Sequence, residues 1–381
     1  MTIDLQQVVA APPDVVWALV AEPALMNRWS LARIESVAPG DGGHPGGVGA
    51  LRRVHLPHGL GVLTEVIERA LPLHLEYRVV AGAPVINHHG AIEIVPERGG
   101  SRLRWAVTAT PIVPGTGGIM ARFLRDQVGA SLASLAAIAP GVSATPRPPP
   151  VRDLDESGPL AIVQDAAEQV ALAQAALAER LLDAGDDRGW FARVYHHVTM
   201  GVLDAARAGR FLHPSWVLRL IPKFHEFFLA SLDGRPEPHW ARAFALIERA
   251  AHRTRFERAM TAVYAGMRAH IEDDLPRTLA LIYADHYGPG SPRGPRCDYV
   301  RFRADYLRMA DIFPAAGDRL LSEIPRHEWT PRARLLDRLT PKAVRIRLID
   351  KSFYPISRER RRAFERGEGI ATLLDRPIKI Q

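Results

Sequence analysis

The segment APGVSATPRPPPVRD (139–153) carries five prolines, four of them crowded into 146–150. Proline fixes φ and removes an amide donor, so this stretch continues neither helix nor strand and favours an extended spacer. The texture of the chain changes across it. Short β-like runs punctuated by glycine lie before it, and long Ala/Leu/Arg segments of helical periodicity lie after it. The reading is therefore two domains, 1–142 and 158–381, joined by a proline-rich linker over 143–157. A length of 381 residues agrees, being more than one ordinary core accommodates.

Working outward toward the N-terminus, GGIMARFLRDQVGASLASLAAIA (117–139) reads as one long helix with an apolar stripe. Before it stand five strand-like runs, LRRVHLP, GVLTEVIER, LHLEYRVV, INHHGAIEIVP and SRLRWAVTATP, several alternating with period two. At the start, PPDVVWALVAEPALMNRW (12–29) opens on a proline pair and an Asp, then shows helical spacing. The implied fold class is α+β, a curved antiparallel sheet gripping one long C-terminal helix, followed by an all-α bundle.

Strand parity nominates the inward side chains, because residues two apart share a face. If Tyr77, Ile92, Ile94, Trp105 and Val107 face inward, Arg52 and His88 do so too. Buried Arg or His needs a partner or a polar ligand. The pocket set is Trp29, Arg52, Tyr77, His88 and Trp105, with Trp29 at the mouth; Tyr77 and His88 are the candidate catalytic groups. Plain core aromatics and an exposed His88 are the competing reading, and a slip of one residue would exchange His88 for Asn87 or His89. The glycine-rich PGDGGHPGGVG (39–49) has no phosphate-cradle spacing and reads as a mobile loop near the cavity mouth.

On the other side of the spacer, helices are expected at 159–184, 188–208, 214–232, 238–252, 254–286 and 297–324. In the fifth, Met260, Tyr264, Met267, Ile271, Leu275, Thr278 and Ile282 form one stripe, and Asp274 falls on it with His270 a turn away. A carboxylate on a buried stripe is costly unless it is paired, hydrogen-bonded or metal-bound. Three accounts stay open. Asp274 caps a helix restarting before Pro276; or it joins His270, His197 and His225 around one divalent metal; or Asp274 and His270 form a metal-free acid–base pair. No HExxH-type motif is present, and no nucleotide-binding pattern.

The order of parts in 1–142, with APPDVVWALVAEPALMNRW, LEYRVVAGAP, RLRWAVTATP and the closing helix, resembles the START-like, polyketide cyclase/dehydrase group of helix-grip proteins. That resemblance implies a hydrophobic cavity between sheet and helix for a small, largely apolar ligand. In the second half, YHHVT (195–199), GRF (209–211), PHW (238–240) and GMRAHIEDDLP (266–276) resemble an all-helical bacterial family of unknown function, over about 160–310; this implies no reaction.

Composition bounds the rest. The net charge of +7 sits in the tail, where 341–381 holds 11 basic residues against 5 acids, while 1–142 balances 11 with 11. No nucleic-acid signature accompanies it, so SRERRRAFERGEG (357–369) reads as a solvated amphipathic helix and nucleic acid is not an expected partner. No run is apolar enough for a membrane span, the N-terminus lacks a basic leader, and a lone Cys297 fits a reducing compartment; a cytoplasmic protein is expected. Cys297 lacks an assignable histidine and is set aside as a nucleophile. The expected function is a cyclase- or dehydratase-type enzyme of natural-product metabolism acting on a polyketide-like intermediate. The alternative is a non-catalytic hydrophobic-ligand carrier fused to a helical domain that is either metal-dependent or structural. A homo-oligomer is left open.

Overall fold

A computed structural model describes residues 1–142, 154, 157–339 and 354–374. Apart from residues 154 and 157, the proline-rich 143–157 lies outside the described residues. The chain forms two compact units, Met1–Asp153 with Cys297–Ala304, and Leu154–Arg296 with Asp305–Gln381.

The first unit is a seven-stranded antiparallel sheet in the order β1-β7-β6-β5-β4-β3-β2. Its strands are β1 (Thr2–Val9), β2 (Arg33–Ala38), β3 (Leu51–His55), β4 (Val62–Leu71), β5 (His74–Ala81), β6 (Val85–Glu97) and β7 (Gly100–Pro111). Helix α1 (Pro13–Ala21) starts at a proline, whose preset φ and missing N–H suit a first turn, and buries Val16, Trp17, Leu19 and Val20. Helix α2 (Gly117–Ile138) presents Val128, Leu132 and Leu135 to the same core as Ile67, Tyr77, Ile92 and Leu103. Two strands escape the sequence pattern. In β1 the inward side alternates as Ile3, Leu5, Gln7 and Val9 while Val8 points out, which blurs the period; β2 is a short edge strand.

The glycine-rich loop is packed rather than mobile. Asp41 is buried; its carboxylate accepts the Asp298 N–H at 2.9 Å and the Arg301 Nη1–H at 2.9 Å. Gly49 has φ +83° and lies against the Val300 carbonyl, where any side chain would collide. Arg303 Nη1 donates to the Gly49 carbonyl at 2.6 Å, and Arg78 Nη2 to the Ala304 carbonyl at 3.1 Å. Thus Cys297–Ala304, expected as the start of a long helix over 297–324, is a short 3-10 turn at Tyr299–Phe302 that completes the first unit. The helix expected there is broken, with Arg303–Arg308 and Ile312–Glu323 as separate pieces.

The second unit is all-helical: α3 (Ser157–Asp183), α4 (Arg188–Arg207), α5 (Pro214–Leu232), α6 (Pro238–Arg249), α7 (Arg255–Ala269), α8 (Leu275–His286), α9 (Ile312–Glu323), α10 (Pro331–Leu339) and α11 (Ile356–Leu374). Thr254 and Glu257 form a capping box that starts α7. A π turn at His270–Asp274 interrupts the helix expected over 254–286. Pro276 supplies the cause, since it has no N–H for the carbonyl four residues back and its ring crowds that carbonyl, so the chain widens there. Helix α11 covers the basic stretch and is not wholly solvated, for Arg360, Ala363 and Phe364 are buried.

Candidate functional site

On the inner face of the sheet, Arg52 of β3 stands directly across from Glu65 of β4, and Tyr77 of β5 across from Ile67. Arg52 is buried; its Nη2 donates to the Ala21 carbonyl at 2.6 Å and its Nη1 to the Met26 sulfur at 3.3 Å. Burial pushes the Glu65 carboxyl up to about 7 against the pull of the Arg52 charge. Burial likewise drives the Tyr77 phenol well above its ordinary value, with the Glu65 charge adding to it. Trp105 Nε1 donates to the Tyr77 oxygen at 2.9 Å, which leaves the phenolic hydrogen available to a further acceptor.

His88 is half-buried, its ring 5.6 Å from that of Tyr77. Its Nδ1 accepts the Val79 N–H at 3.2 Å, and burial, with His89 beside it, lowers the imidazole to about 4. A break in register between Ile86 and His89, with Asn87 at φ 52°, sets this orientation and leaves Asn87 and His89 exposed. Trp29 is buried instead of standing at a mouth; its Nε1 donates to the Leu19 carbonyl at 2.8 Å and its ring packs edge-on against Trp105 at 6.1 Å. Parity therefore brings Arg52, Tyr77, His88 and Trp105 together on one face. It misses Glu65.

In the helical unit the Asp274 carboxylate is fully buried and receives four donors. Its Oδ1 accepts from His239 Nε2 at 3.0 Å and Arg277 Nη2 at 2.7 Å, and its Oδ2 from Trp240 Nε1 at 2.9 Å and His270 Nδ1 at 2.8 Å. Burial by itself would raise this carboxyl, but the hydrogen bonds from His239 and His270 outweigh it and hold the group well below the carboxylate range. The capping account is thereby overturned, because among the described residues the Asp274 side chain accepts no backbone N–H from the first turn of α8, only the Arg277 side chain. The four-residue metal set is not assembled either. His197 Nε2 pairs with Glu323 at 2.6 Å, and among the described residues no three His, Cys, Asp or Glu side chains stand where they could share an ion. His225 is buried, and burial together with nearby His270 lowers it to about 4.

His270 is buried too, its ring stacked on Phe224 with centroids 3.3 Å apart and planes 7° from parallel. Burial lowers its pKa despite the Asp274 hydrogen bond, so the imidazole is neutral with its hydrogen on Nδ1. Sequence periodicity finds the His270–Asp274 pair but not its partners His239, Trp240 and Arg277. The first two sit at the start of another helix, where PHW was the available signal.

Two family models match the chain: residues 1–139 match "Polyketide cyclase / dehydrase and lipid transport", and residues 167–372 match "Family of unknown function (DUF5995)". No curated protein matches. Solved structures resemble part of the chain at low overall scores. A START superfamily protein from Mycobacterium smegmatis is 13% identical, with 37% of this chain and 97% of that one covered and a TM-score of 0.33. The protein XoxI from Bacillus cereus is 18% identical, over 36% and 93%, with a TM-score of 0.31. Norcoclaurine synthase from Thalictrum flavum, solved in complex with dopamine and hydroxybenzaldehyde, is 14% identical, over 38% and 88%, with a TM-score of 0.31. Among the described residues no helix is long and apolar enough to cross a membrane. With a START-like region that matches the polyketide cyclase/dehydrase model over residues 1–139 and a match across 167–372, more than half its length, the chain belongs to the DUF5995 family.

Proposed function

We propose that the START-like unit is an acid–base enzyme of the cyclase or dehydratase type, acting in natural-product metabolism on a small, largely apolar, polyketide-like molecule. The observation that carries it is the convergence of Glu65, Arg52 and Tyr77 on the inner face of the sheet. A carboxyl poised near 7 is populated in both protonation states at neutral pH, which suits proton transfer in either direction. In the dehydration of a β-hydroxy ketone, the Glu65 carboxylate takes the α-proton and returns it to the departing hydroxyl, giving an enone and water. The developing enolate is stabilised by the Tyr77 O–H and by the positive field of Arg52. The buried Cys297 thiol supports a reducing, cytoplasmic setting.

A panel of aryl and alkyl β-hydroxy ketones, followed by mass spectrometry for loss of water, tests this. Turnover by the wild type should fall about a hundredfold in Glu65→Gln. A wild type inert across the panel, or Glu65→Gln as active as wild type, sinks it. A non-catalytic carrier is the second reading, favoured by the dominance of apolar side chains such as Ile67, Ile92 and Leu103 around that face; it predicts ligand retention without turnover.

A further inference from the structure

The helical unit holds a cavity of about 530 Å³ that the START-like chemistry does not use. Its wall is built of aliphatic, aromatic and methionine side chains, among them Val198, Ile221, Phe224, Met260 and Met267. Set into that wall is His270, whose Nε2 is buried and has no hydrogen-bond partner among the described residues. An orphaned ring nitrogen is costly in a native interior and calls for an explanation.

The Asp274 cluster determines what that nitrogen offers. Because the carboxylate fixes the hydrogen on Nδ1, the lone pair is on Nε2, and a residue lining the cavity carries an acceptor without a partner among the described residues. His239, Trp240 and Arg277 hold the carboxylate from the other side, so the tautomer is locked. The π turn that begins at His270 is the kind of helix irregularity often found at ligand sites. A second residue of the wall, Thr199, has a buried Oγ1 that also lacks a partner among the described residues. A hydroxyl suits an acceptor such as His270 Nε2, because it has a hydrogen to donate.

Other occupants fit less well. A bare metal ion would need several protein ligands, and no such group exists among the described residues. An anionic head would face the lone pair of His270. Among the described residues the one arginine in the wall is Arg360, which is committed to the Tyr306 carbonyl at 2.7 Å and lies over the rings of Tyr306 and Phe313. Asp337, the acid in the wall, is paired with Arg326 at 2.9 Å.

We propose that this cavity binds an apolar alcohol, a molecule with one hydroxyl on a hydrocarbon body, whose O–H donates to His270 Nε2. The site is separate from the START-like unit and is a second ligand site in the same chain.

The test compares dodecanol, dodecyl methyl ether and dodecanoate binding to the full-length protein by calorimetry. Dodecanol should bind about tenfold or more tightly than the ether, which cannot donate. His270→Phe, which keeps a flat ring for the Phe224 stack, should level the two affinities by weakening only the alcohol. Equal affinities in the wild type overturn the proposal without any variant. So does an alcohol preference that survives His270→Phe, which would place the alcohol elsewhere in the chain. Tightest binding of dodecanoate would assign the anchor to Arg360 instead, and no binding of any of the three would reject the cavity as an alcohol site.

Discussion

At the scale of single residues, Asp274 separates what a sequence tells from what it hides. Helical periodicity places it on a buried stripe, and burial is what the structure has. The donors that make burial tolerable are not legible, since His239 and Trp240 arrive from α6, about thirty-five residues upstream. A capping aspartate replaced by Asn would cost about 1 kcal/mol or less. Removing the acceptor shared by three buried donors and the half-buried Arg277 should cost more, about 3 to 5 kcal/mol for Asp274→Ala, read from the helical unit's calorimetric transition. The linked pH effect has a definite sign. A carboxyl held below its ordinary value contributes stability above that value and loses it as pH falls, so acid should weaken the wild-type helical unit more than Asp274→Ala.

Glu65 illustrates the reverse failure. In GVLTEVIER Glu65 shares a face with Leu63 and Ile67 but, being charged, is not singled out, and where the register is irregular at Thr64/Glu65 and Ile67/Arg69 the residues Glu65, Val66, Ile67 and Glu68 are buried in succession. Its pKa is raised, so its contribution to stability is present below the unfolded value near 4.5 and is lost as pH rises through about 7. Glu65→Gln should remove that slope: the variant's START-like unit should be the more stable one at about pH 8, with little difference at about pH 4. Thermal unfolding at the two pH values decides it; parallel curves would mean that Glu65 is not buried as a neutral acid.

Among elements, the helices with strong stripes and clear stops were readable to within a few residues, as α4 and α5 show. What failed was continuity. One expected helix is broken by the π turn before Pro276, and another by the 3-10 turn at Tyr299–Phe302. Both failures have tertiary causes: a proline's missing donor in the first, and contacts with a distant loop in the second. Packing of α4 on α7 depends on Gly266, because a Cβ there would run into the Phe191 ring, itself packed edge-on against His270 at 5.6 Å. Gly266→Ala should therefore destabilise by about 1 to 3 kcal/mol despite alanine's better helix propensity, measurable by urea unfolding.

Over the whole chain, the proline-rich boundary suggested a cut that would free the N-terminal half. The compact unit instead includes Cys297–Ala304, whose Asp298, Arg301 and Arg303 satisfy Asp41 and the Gly49 carbonyl. A fragment ending at 153 leaves the buried Asp41 carboxylate without those donors. It should be less stable than the same unit in the full chain by about 2 kcal/mol or more, measured by hydrogen exchange of β3 and β4 amides. Equal protection would show that the segment is dispensable.

The excursion of eight residues also limits how this protein can be recombined. Sequence boundaries invite treating the two halves as cassettes, but a chimera carrying a foreign helical half would also carry a foreign 297–304, presented to a loop whose Gly49 admits no side chain. Exchange of either half is therefore constrained at both places at once, and grafts that move the loop 39–49 together with 297–304 are the ones expected to keep their shape.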